Sequence, residues 1–103
     1  MQYQLVLQFR QRPLEDLEAI VALEKRLDTH LAGVAKVDGH DIGSGEANIF
    51  IITCDPIGTF GAIQPVLDHA NLLSGATVAY RPSDGNDYSV LWPAQSDEVF
   101  RVA

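Results

Sequence analysis

Residues 3–9 alternate. Tyr3, Leu5, Leu7 and Phe9 fall on one side of an extended chain, and Gln4, Val6 and Gln8 on the other. A period of two marks a strand with one apolar face. Arg12-Pro13 breaks the pattern, and Pro13 suits the first turn of a helix. Leu14, Leu17, Ile20, Val21, Leu27 and Leu31 then recur at helical spacing. Glu15, Asp16 and Glu18 stand at the end where the helix dipole favours anions. The spacing predicts a helix over 13–31, stopped by Gly33.

Residues 34–42 read as a second strand with a fault. Val37 and Ile42 have opposite parity, and a bulge at Gly39 would return both to one face. Gly43-Ser44-Gly45 supplies a short hairpin turn. Ala47 to Thr53 is apolar on both sides, which predicts a central strand. Asp55-Pro56 is a helix start: a capping carboxylate, then proline at the first helical position. Phe60, Ile63, Leu67 and Ala70 continue that helix toward a stop at Ser74-Gly75, with Pro65 expected to bend it or shift its start. Ala76–Tyr80 is a fourth strand. A turn at 82–86 leads to a possible fifth at Tyr88–Trp92, closed by Pro93.

The order strand, helix, strand, strand, helix, strand predicts an α+β fold. It is the ferredoxin-like βαββαβ sandwich, an antiparallel sheet with two helices on one face and a possible fifth C-terminal strand. In that arrangement the first and third strands are central, and they are the two most apolar candidates here. All 103 residues are expected in a single ferredoxin-like domain, with 83–103 as a C-terminal hairpin and tail extension.

A single cysteine, Cys54, excludes an intrachain disulfide, so packing must supply the stability. No apolar run approaches the ~20 residues that cross a bilayer, and the N-terminus enters a strand pattern at once. The chain is expected to be complete and cytoplasmic, with no membrane association. The formal net charge is −7, with only seven lysines and arginines. That disfavours nucleic acid, whose affinity comes from cations neutralising phosphates. An acidic surface suits a basic protein partner or a cation, and it also keeps a protein soluble.

Candidate chemistry concentrates in Val37-Asp38-Gly39-His40-Asp41-Ile42-Gly43-Ser44-Gly45-Glu46. Three carboxylates, a histidine and a serine stand among glycines that permit close backbone approach. A tight hairpin needs much the same string. A histidine polarised by a carboxylate can act as a general base. Ser44 could be a nucleophile only with a base in reach. Asp38, His40, Asp41, Ser44 and Glu46 are therefore the candidate ligand-binding residues. This block, with Asn48-Ile49-Phe50-Ile51, resembles small bacterial proteins of about this length to which no activity is attached. The resemblance implies a ferredoxin-like fold and leaves function open.

Other chemistry finds less footing. His30, His40, His69, Cys54 and the acids are metal-ligand types, yet none shows an established ligand spacing, and no metal or cofactor is expected. His30 and His69 fall near helix ends, where the dipole favours a cation. Gly43-Ser44-Gly45 lacks the lysine of a phosphate loop. Arg10 and Arg12 stand roughly where acylphosphatases, which share the topology, carry a catalytic arginine; the glycine-rich loop of those enzymes has no match here.

The leading expectation is a non-catalytic binding or protein-interaction module. The alternatives are a small enzyme using Asp38, His40 and Glu46 on a small polar substrate, and an acidic inhibitor that masks a basic partner. The two-sided apolarity of Ile49–Ile52 predicts a homodimer through the open sheet face. In the competing arrangement the C-terminal segment, carrying Leu91, Trp92 and Phe100, covers that face.

Overall fold

The computed structural model describes residues 1–10, 17–43, 45–94 and 100–102. The elements follow in the order β1 (Tyr3–Phe9), α1 (Leu17–His30), β2 (Ala35–Gly43), β3 (Glu46–Thr53), α2 (Pro56–His69), β4 (Ala76–Pro82) and β5 (Ser89–Trp92). The five strands form one antiparallel sheet in the order β2-β3-β1-β4-β5. This is the ferredoxin-like arrangement expected from the element order, with β5 added beside β4.

The alternation in β1 sorts the molecule into two layers. Leu5, Leu7 and Phe9 point to the face that both helices cover. There they meet Ile49 and Ile51 of β3 and Val78 of β4, with Ile20, Leu23 and Leu27 of α1 and Phe60, Ile63 and Leu67 of α2. All twelve are buried. Each such side chain contributes about 1.5–3 kcal/mol on leaving water. β1 and β3 lie inside the sheet, as their apolar sequences require.

The helix ends follow local chemistry. Asp55 caps α2, its Oδ1 accepting from the Gly58 N–H at 3.0 Å, with Pro56 at the start. A Cβ on residue 58 would run into the Asp55 carboxylate, so glycine there leaves the cap its room. The helix runs through Pro65 without a shifted start. Its end corrects the expected stop at Ser74-Gly75, which instead lies in a separate 3₁₀ turn, Leu73–Gly75. Asn71 takes a left-handed conformation with φ 61°. The Leu72 N–H then reaches the Leu67 carbonyl at 2.8 Å, and the Asn71 N–H reaches Asp68 at 3.0 Å. This pair of bonds is a Schellman ending, and it seats Leu72 against Leu67 in the core. For α1, Gly33 (φ 82°) marks the stop as expected. Its predicted first residues, from Pro13 to Asp16, lie outside the described residues.

The second face of the sheet carries Val6, Phe50 and Ala79. Phe100 and Val102 pack on it, together with Tyr88 and Val90. Here the expectation of a covering C-terminal segment needs one correction. Leu91 and Trp92 turn to the helix side instead. The Trp92 indole donates to the Leu73 carbonyl at 2.9 Å and its ring lies 6.2 Å from that of Phe60. A shift in the β4–β5 register lets consecutive stretches of β5 serve both faces.

Candidate functional site

The β2–β3 hairpin places the candidate residues. Val37 pairs with Ile51, whereas Gly39 pairs with Phe50, so Asp38 is an extra residue in β2. This is the bulge that the parity of Val37 and Ile42 requires, and Gly39 sits there at φ 155°. Beyond it His40 is opposite Ile49, Asp41 opposite Asn48, Ile42 opposite Ala47 and Gly43 opposite Glu46. Cross-strand partners share a face. His40 and Ile42 therefore join Val37 on the helix side, and Asp41 and Glu46 lie on the other.

The sheet thus separates the candidates. His40 Nδ1 lies 2.7 Å from Glu24 Oε1 of α1, with the two side chains 30% and 16% exposed. With the carboxylate accepting, Nδ1 carries the proton and the neutral ring presents Nε2 as a base or ligand. Asp38 and Asp41 are exposed. Ser44 lies outside the described residues.

Glu46 has a different role. Its Oε2 accepts from the amides of Gln8, at 2.5 Å, and Asn48, at 3.1 Å. Gln8 is fully buried and Asn48 is 1% exposed. The two N–H bonds of the Gln8 amide are shared with Asn48 Oδ1 (3.1 Å) and the Arg101 carbonyl (2.7 Å), while its Oε1 accepts from Arg10 Nε at 3.1 Å. Gln8, held in place by Glu46 and Asn48, thereby anchors the segment that covers the second face. Beside it the Phe100 ring lies 4.8 Å from the ring of Tyr88, and the Arg81 guanidinium stands 5.9 Å from the centroid of that same Tyr88 ring. Arg81 also donates to the carbonyls of Pro82, Ser83 and Gly85, at 3.0, 3.1 and 3.0 Å, which fixes the turn that carries Tyr88.

Sequence reading missed Glu24 and Gln8. Glu24 carries no local signal, because its pairing with His40 spans 16 residues. Gln8 did carry one: its parity with Gln4 and Val6 puts a polar side chain on the second face of a central strand.

Among the described residues, grooves open to solvent border these elements. One of about 240 Å³ lies between α1 and β2, lined by Val21, Glu24, Lys25, Asp28 and Val37. One of about 480 Å³ lies between α1 and α2. A third, of about 330 Å³, lies at the sheet end near Val34, Lys36 and Cys54. Among the described residues no group of three His, Cys, Asp or Glu side chains could hold a metal ion, and no helix is long and apolar enough to cross a membrane. No family model, no curated protein and no solved structure matches this chain.

Proposed function

We propose that this chain is a non-catalytic interaction module that presents the β2 flank to a basic protein partner. The observation that carries this reading is the outward display of the hairpin acids. Asp38 and Asp41 are exposed on an edge strand rather than gathered round a cavity. Glu24 and Asp28 of α1 border the same flank. Four carboxylates there stand against two ammonium groups, Lys25 and Lys36. A surface of this kind steers a basic partner and fixes its register. Catalysis by Asp38, His40 and Glu46 together finds less support, because His40 pairs with Glu24 and Glu46 lies across the sheet.

The test is comparative capture. The chain, an Asp38→Lys/Asp41→Lys variant and an Asp84→Lys/Asp87→Lys variant are each immobilised and exposed to an extract of the source cells. Partners are quantified by mass spectrometry. A basic protein should be retained by the chain and by the second variant, lost with the first, and released by raised salt. Retention that survives reversal of Asp38 and Asp41 refutes the reading.

A further inference from the structure

The chain holds seven lysines and arginines against fourteen carboxylates, yet two of the seven are adjacent and line one groove. Lys25 and Arg26, with Thr29 and His30, form the α1 wall of the groove between the helices, and Val66 of α2 lies opposite. On a helix, side chains meet at separations of three and four. At those distances Arg26 has Ala22, Leu23, Thr29 and His30, none of them acidic. The carboxylates of the same helix, Glu24 and Asp28, line the other groove, toward β2; Lys25 borders both grooves, with Asp28 three residues on, so Arg26 is the cation set wholly toward α2. The dipole of α1 accounts for His30 in the last turn, but its field fades before Lys25. His30 Nε2 donates to the Ala62 carbonyl at 2.8 Å, which ties this wall to α2.

We propose that this groove binds a phosphate monoester. The reasoning is independent of the protein-partner reading above. Arg26 supplies a planar fork, Lys25 a compact charge and Thr29 a hydroxyl donor, a set suited to several oxygens on one head group. Two adjacent cations suit a dianion better than a singly charged carboxylate. The groove, about 480 Å³, exceeds what the head group fills. The organic part of the ester rests on Val66.

The test titrates phenyl phosphate, inorganic phosphate and phenol into the ¹⁵N-labelled full chain and follows amide shifts. Phenyl phosphate should give saturable shifts at residues 25–30 and 62–66, with a Kd on the order of 1 mM. Inorganic phosphate should move the same amides more weakly, and phenol should not. A Lys25→Gln/Arg26→Gln variant should lose at least about tenfold in affinity. Arg26→Lys, which keeps the charge but not the fork, should lose less, and Asp84→Asn/Asp87→Asn should lose nothing. Both cations are exposed, so the variants keep the fold, and unchanged amide shifts elsewhere verify it. The proposal fails if the shifts do not saturate, if they centre on other residues, if phenol reproduces them, or if the double variant binds equally well.

Discussion

The two faces of the sheet are covered by different means. On one face two helices of 14 residues each lay down a continuous apolar layer against Leu5, Leu7, Ile49, Ile51 and Val78. On the other, a short C-terminal stretch settles Phe100 over Val6 and Ala79, and it is held by a buried amide, Gln8, through the Arg101 carbonyl. The first cover is hydrophobic burial in bulk, which is non-directional. The second combines one aromatic anchor with hydrogen bonds that must all be satisfied. The difference teaches where this fold is robust and where it depends on single groups. A terminal segment can detach without global unfolding, whereas the helical layer cannot.

Four substitutions break or sharpen that contrast. Leu7→Ala, at a fully buried position on the helix face, should cost about 3 kcal/mol through lost transfer energy and a cavity. Denaturant unfolding should show a lowered midpoint for the whole molecule. Gln8→Ala should cost about 2 kcal/mol, because the Arg101 carbonyl and the Asn48 and Glu46 oxygens lose a buried donor. Hydrogen exchange should then quicken first in residues 100–102, and exchange that quickens equally in both layers would contradict the latch. Phe100→Ala should cost less, about 1–1.5 kcal/mol, since the freed segment can leave. Its clearer signature is association. Sedimentation equilibrium at micromolar concentration should show the parent chain as a monomer of 11.3 kDa and the variant self-associating through Val6, Phe50 and Ala79. A dimeric parent would show that Phe100 does not complete the cover. His40→Ala, at the rim of the helix layer, should cost only about 0.5 kcal/mol, as losing a partly exposed side-chain pair does. A cost as large as that of Gln8→Ala in the same unfolding assay would make the His40–Glu24 pair structural.

The fold was legible because its signals are local. The clean alternation of β1, the Asp55-Pro56 start of α2 and the misfit of Val37 with Ile42 each point to one outcome; parity alone asks for a bulge at Gly39, and the extra residue is its neighbour Asp38. The end of α2 was misread because asparagine at 71 took the left-handed role usually given to glycine. The site was less legible, since its geometry depends on partners distant in sequence. His40 meets Glu24, and Glu46 meets Gln8 and Asn48, across separations that only the assembled sheet defines. Once the bulge fixes the parity of β2, adjacent polar residues in the string go to opposite faces, so polar density in the sequence did not become polar density in space.

The extra residue in β2 also bears on how this protein avoids the company of its own kind. Among the described residues β2 and β5 are the outermost strands, each with one edge that no other strand pairs. Such edges invite further strands and, in the end, fibrils. At β2 the bulge interrupts the edge at Asp38, and Lys36, Asp38 and Asp41 put charges along it. At β5 the strand is four residues long and ends at Pro93, which has no N–H to offer. Among the described residues, strand addition at either border would thus have to pass a bulge and its charges, or a short strand closed by proline.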